Sequence, residues 1–276
     1  MKEFEVAVDF PLDHWPYLHP NMKKNATTFF LGSDSEELFE HNSKLLSDDW
    51  MYKHTPVEYR FNSDGLRMDK NISEVVQNDY FLFSGTSFGM GLGINLEDTI
   101  PYKISKKINM DFVNFTGTTF SNKLQTLSFF NFLKSDLPLP KVLIMDWAPI
   151  KAYSFMSENK MLYYCGKHLA KEYSEHYKAF KILKETDAFL IESTINRNMV
   201  MATCKRLGIK YVEISLWKDE FTFKNNLPLI DVDIKKDDIN YTYGRDIRID
   251  DTGVYHMGHP GVGIHNAAAE KILESL

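Results

Sequence analysis

The chain has 276 residues, 43% hydrophobic and 14% aromatic, enough to bury a substantial core in one α/β domain with added segments. A formal charge of -6 gives no general attraction to phosphate backbones and no local basic patch stands out, so no nucleic-acid role is expected. No run reaches the roughly 18 apolar residues of a membrane span, the start lacks the pattern of a secretory peptide, and Cys165 and Cys204 are too few and too far apart for a disulfide framework. The expected location is therefore cytoplasmic, or within an assembled particle, with no membrane partner.

Residues 1–55 are rich in His, Pro, Asn and aromatics and read as an extension that packs on, or docks from, a main domain over 56–276. Within it Ser33 and Glu36 resemble a capping box ahead of Leu38, Phe39 and Leu45, which predicts a helix. VEYRF (57–61) alternates as a strand does, and NSDG (62–65) is a turn by composition.

From residue 80 short apolar runs alternate with helical stretches. YFLFS (80–84), DFVNF (111–115), KVLIM (141–145), DAFLI (187–191) and KYVEI (210–214) read as buried strands. The segments near 98–108, 122–134, 166–184 and 195–207 carry apolar residues at three and four spacing, as surface helices do. Strand and helix repeated in this way predict a doubly wound, five-stranded parallel sheet in a three-layer α/β/α fold. Such sheets bind ligands beyond the carboxyl ends of their strands. The Lys103, Lys106 and Lys107 group reads as a solvated helix face, and Phe129, Phe130 and Phe132 as core rather than a base-stacking surface. NAAAEKILESL, from 266, closes the chain as an amphipathic helix.

Two segments hold residue types that carry chemistry. After the first strand of the repeat comes Ser84-Gly85-Thr86-Ser87-Phe88-Gly89-Met90-Gly91, a small-residue turn into a helix. There a hydroxyl can protrude while backbone N–H groups point the same way, as acyl transfer requires; an ordinary Gly/Ser turn is the plainer reading. Before the last helix comes His256-Met257-Gly258-His259-Pro260-Gly261-Val262-Gly263-Ile264-His265, whose histidines are candidates for a base, for exposed loop residues, or for metal ligation. No matching ligand set elsewhere favours a metal, and none is expected. The Gly89, Gly91 and Gly93 spacing fits neither a dinucleotide fingerprint nor a phosphate loop, so no cofactor is expected.

Together these segments resemble the SGNH (GDSL-type) hydrolase family over about residues 57–276. Gly85-Thr86-Ser87 falls where that family has its nucleophile motif, and Asn62-Ser63-Asp64-Gly65-Leu66-Arg67 is similar to the N-S-x-G-x-R turn that precedes it. His259-Pro260 and His265 fall at the family's entry to the last helix. The resemblance implies a flavodoxin-like sheet, Ser87 as nucleophile, His259 as base, and an oxyanion hole from the backbone N–H groups of Ser87 and Gly117. It implies a carboxylic ester hydrolase acting on acyl esters, with O-acetyl groups on carbohydrate a favoured substrate.

Three positions depart from the pattern. Thr86 replaces an Asp. His256 stands where the orienting acid belongs, three residues before His259, which leaves His256 itself, Asp250, Asp251 or a backbone carbonyl to orient the imidazole. Asp146-Trp147 stands where an oxyanion-hole Asn is expected, and with Thr86 these two are candidate pocket residues, core filling being an equal reading of Trp147. In serine proteases altering the triad acid lowers turnover by about 10⁴, and losing an oxyanion donor costs about 10²–10³. A second reading is therefore a catalytically degenerate member, serving as a structural or glycan-binding component of a larger assembly such as a virus particle, as a homo-oligomer or with an assembly partner.

Overall fold

The computed structural model describes residues 24–117, 120–150, 153–157, 160–164, 182–183, 186–216, 238–250 and 255–276. Its first elements are β1 (Thr27–Thr28), α1 (Glu36–Leu45) and β2 (Tyr59–Arg60), with β1 and β2 paired antiparallel. Ser35, rather than Ser33, caps α1: its hydroxyl accepts the Leu38 N–H at 3.2 Å. That N–H is one of the four with no acceptor inside the helix, so the neighbouring serine takes the role expected of Ser33. The NSDG turn closes through the Asn62 side chain, whose Oδ1 accepts the N–H groups of Asp64 and Leu66 at 3.0 and 2.9 Å. Arg67 leaves this turn inward and is fully buried.

After a short helix α2 (Ile72–Val75), four strands build the central sheet: β3 (Tyr80–Gly85), β4 (Asp111–Thr116), β5 (Val142–Asp146) and, beyond an antiparallel hairpin of β6 (Tyr153–Ser157) with β7 (Lys160–Tyr164), β8 (Lys210–Ile214). Their order is β4-β3-β5-β8 and every pairing is parallel. Chain order reverses beside β3, so the residues that follow β3 lie at a switch point of the sheet, where loops diverge and leave room for a ligand. Every residue of β3 is buried, as both faces of a parallel sheet must be.

Between the strands run α3 (Ser87–Met90), α4 (Ile100–Ile108) and α5 (Asn122–Lys134). Helix α4 packs with the carboxy-terminal helix Val262–Leu273, and α5 packs with the long helix Ala188–Leu207. These pairs flank the sheet as the outer layers of an α/β/α arrangement. Lys106 and Lys107 are exposed on α4, and Phe129 and Phe132 are buried on α5.

The sheet has four strands among the described residues rather than five, because DAFLI is helical. A four-residue apolar run fits a buried strand or a buried helix turn equally well. Here no glycine or proline interrupts the chain from Ala188 to Leu207, and the helix runs until Gly208, at φ +71°. Phe189, Ser193, Val200 and Cys204 are its buried residues, and at 100° per residue all four share one face. The helical expectation for 166–184 lies almost wholly outside the described residues.

A second apolar cluster joins the amino-terminal segment to the rest. Leu31, Trp50, Tyr52, Val57, Tyr59 and Phe61 pack with Met90, Leu92, Ile94, Ile247 and Ile249. Residues 31–61 thus cover the loop that follows α3 and the segment around residue 247. The first follows directly on the helix that begins at Ser87, and the second carries Asp246.

Candidate active site

Strand β3 ends at Gly85, Thr86 stays extended, and Ser87 is the first residue of α3. Thr86 holds this turn by accepting the Phe88 N–H on its hydroxyl at 3.2 Å. Ser87 therefore sits at a helical position whose own N–H has no acceptor within the helix. The turn lies directly over Asp146 at the end of β5, and a Cβ on Gly89 would stand 3.0 Å from the Asp146 carboxylate and 2.9 Å from the Phe83 ring. Any larger residue at 89 would require the Phe83 ring or the Asp146 side chain to give way.

The second half of the site comes from residues 242–261. The Gly244 N–H donates to the His259 carbonyl at 2.8 Å, the Gly261 N–H donates to the Thr242 carbonyl at 3.0 Å, and Tyr243 bridges to Pro260. Between them β9 (Arg248–Ile249) and β10 (Tyr255–Met257) run antiparallel. This fold-back sets Asp246 beside His259 although the two are 13 positions apart in sequence.

The side chains then form a continuous chain. His259 Nδ1 lies 2.5 Å from Asp246 Oδ2, and His259 Nε2 lies 2.9 Å from Ser87 Oγ. Burial pushes the Asp246 carboxyl up, but the charge and hydrogen bonds of His259 and the Ser33 hydroxyl outweigh it and hold the group below its ordinary value. Asp246 is therefore a carboxylate, which only accepts, so Nδ1 carries the imidazole proton and the lone pair on Nε2 faces the serine hydroxyl. The Phe88 ring packs edge-on against the imidazole, with centroids 5.2 Å apart, and fixes its plane. Ser87 is 8% exposed and the His259 side chain 17%, so the pair is largely sheltered from solvent.

The structure brings Ser87 and His259 together, and it supplies as orienting group an acid not singled out from the sequence. The carboxylate facing His259 is Asp246 rather than Asp250, which lies beyond β9 toward the far end of the hairpin. Asp251 and the side chain of His256 lie outside the described residues. His265 is fully buried, and its Nδ1 accepts the Ile100 N–H at the start of α4 at 3.2 Å.

The expected pocket residues prove to be interior. Trp147 is 1% exposed, with its indole N–H donating to Tyr211 Oη at 3.0 Å and to Glu213 at 3.3 Å, so it fills core instead of lining a pocket. Asp146 is fully buried beneath the serine turn, with long contacts of 3.4–3.5 Å from Thr86 and Leu216. Burial pushes its carboxyl up to about 7. Thr86 is buried with it. The Gly117 N–H donates to the Gly85 carbonyl at 3.3 Å, because the β3–β4 ladder continues one step past Thr116; it is engaged within the sheet rather than pointing at a bound ligand.

Fold and site together define an α/β protein with a Ser–His–Asp constellation at the carboxyl end of a parallel sheet. No protein-family model matches the chain, and no curated protein does. Among solved structures it is similar to one from Bacteroides fragilis, described as a "putative acylhydrolase", at 11% identity and a TM-score of 0.27, over 74% of this chain and 95% of that one. At that distance the fold rests on the strand order given above, and the chemistry rests on the geometry of the site.

Proposed function

We propose that this protein is a serine esterase of the SGNH kind that hydrolyses acyl esters, with small O-acyl groups on carbohydrate as the substrate class. One observation carries the reading: the hydrogen-bonded chain from Asp246 through His259 to Ser87, at 2.5 and 2.9 Å. A serine, a correctly protonated imidazole and an ionised acid in this order are what activates a hydroxyl that is otherwise a poor nucleophile at neutral pH. The degenerate alternative loses one of its two supports, the lack of an acid three residues before the base, and keeps the other, since Asp146 stands where an oxyanion-hole amide is expected.

In the mechanism, Ser87 Oγ attacks the ester carbonyl carbon while His259 Nε2 takes the hydroxyl proton, and Asp246 stabilises the imidazolium. The tetrahedral intermediate collapses, the alcohol leaves with the proton from His259, and an acyl-Ser87 ester remains. Water then attacks that ester, giving its proton to His259, and the acid departs as Ser87 regains its hydrogen. The Ser87 N–H supports the oxyanion. The Gly117 N–H joins it only if released from Gly85, and Asp146 contributes no amide. One missing donor costs about 10²–10³ in turnover, so a slow esterase is expected.

The test is hydrolysis of p-nitrophenyl acetate together with labelling by a fluorophosphonate probe. The expected result is a modest rate and a covalent adduct on Ser87, both abolished in Ser87→Ala. Hydrolysis that persists at full rate in that variant would remove Ser87 from the chemistry.

A further inference from the structure

We propose that Ser33 is a positioning residue of the site, a fourth member that fixes the charge and orientation of Asp246 and so sets the basicity of His259. The inference rests on the esterase reading for its catalytic meaning and on geometry for its substance. The Ser33 hydroxyl donates to Asp246 Oδ2 at 2.8 Å, the same oxygen that accepts the His259 Nδ1–H. The other oxygen, Oδ1, accepts the His259 backbone N–H at 3.0 Å. Without Ser33, one oxygen of a buried carboxylate would face the imidazole alone.

The surroundings hold Ser33 to this task. It sits in a tight turn in which Leu31 and Asp34 exchange backbone hydrogen bonds of 3.0 and 3.1 Å, and Gly32 enters the turn at φ +62°, a conformation side chains disfavour. Asp34, next in sequence, is buried in an ion pair with Arg245, next to Asp246, at 2.8 Å. The Tyr59 hydroxyl also donates to Asp34, at 2.5 Å, and Arg245 stacks over the rings of Phe30 and Phe39. From α1, Asn42 Nδ2 donates to the Ile247 carbonyl at 2.7 Å. The amino-terminal segment thus grips Asp246 on both sides along the chain, and Ser33 contacts its carboxylate directly.

Removing the hydroxyl concentrates negative charge on Oδ2. That strengthens its pairing with an imidazolium and raises the pH at which His259 loses its second proton. A hydrogen bond to a charged group is worth the equivalent of about 1–2 pH units at Asp246 itself, and a part of that passes through the shared oxygen to the imidazole.

The experiment compares the wild type with Ser33→Ala, Ser33→Cys, Ser33→Thr and Ser35→Ala, reading the His259 titration and its Nδ1–H resonance by NMR beside the acid limb of kcat/KM for p-nitrophenyl acetate. Ser33→Ala and Ser33→Cys are expected to move the titration upward by about 0.5–1 pH unit and to lower kcat about tenfold. Ser33→Thr should restore both. Ser35→Ala, which removes the neighbouring helix cap, should lower the melting temperature and leave His259 unmoved. Ser33 variants with wild-type titration and resonance would overturn the proposal. A wild type without Ser87-dependent turnover, in which Ser33→Ala still moves His259, would overturn the esterase reading alone.

Discussion

At Asp246 three donors converge on one carboxylate: the His259 ring, the His259 backbone and the Ser33 hydroxyl. An Asn there keeps the volume but cannot enforce the same imidazole tautomer, since its amide can donate to Nδ1 and leave the proton on Nε2, facing Ser87. Asp246→Asn is therefore expected to lower kcat for p-nitrophenyl acetate by about 10⁴ and to slow fluorophosphonate labelling in parallel, as tautomer loss does in serine proteases. A rate within tenfold of wild type would assign the orienting role elsewhere. Ser87 and His259 were legible from the sequence because each lies beside a glycine-marked turn at a strand or helix boundary. Asp246 was not, because its partnership with His259 is made across a β-hairpin. The one local signal was the Gly244-Arg245-Asp246 turn ahead of β9, and only tertiary pairing shows which of several nearby acids turns inward.

The serine turn is an element rather than a residue, and Arg67 holds it together. This buried guanidinium donates to the carbonyls of Met90, Gly91 and Ile94 at 2.6–2.8 Å, and to that of Glu58 at 3.2 Å. The Met90, Gly91 and Ile94 carbonyls lie at the end of α3 and in the loop after it, and that of Gly91 also accepts the Ile94 N–H at 3.2 Å. Arg67→Leu would leave several buried acceptors unpaired at about 1–3 kcal/mol each before relaxation. A net destabilisation of about 3 kcal/mol or more is expected in urea or thermal unfolding, with slower labelling of Ser87 in the folded fraction. A loss below about 1 kcal/mol would show that water replaces the guanidinium. The turn before Arg67 could be read from Asn62 and Gly65, whereas the target of the arginine could not, because the acceptors around the serine turn lie more than twenty residues away. The misread strand at 187–191 has the same origin: four apolar residues carry no period of their own, and the twenty-residue helix around them decides.

Across the whole molecule, two buried groups that take no part in the proposed chemistry pull stability in opposite directions with pH. Burial raises Asp146 to about 7 and, with the nearby charges of Arg67, Lys103 and His259, lowers His265 to about 3. Between pH ~4 and ~6.5 the unfolded chain has lost the Asp146 proton that the folded chain keeps, so this group makes stability fall as pH rises. Over the same window the unfolded chain holds a His265 proton that the folded chain excludes, so this group makes stability rise with pH. Each slope is about 1.4 kcal/mol per pH unit, and they offset one another. Asp146→Asn should therefore unmask a stability that climbs with pH relative to wild type. His265→Gln, whose amide oxygen still accepts the Ile100 N–H, should unmask one that declines. The check is the difference in urea midpoint, multiplied by the m-value, between each variant and wild type at pH 4.5, 5.5 and 6.5. Parallel lines for all three proteins would mean that neither group is held neutral by the fold, and that water reaches the floor of the serine turn.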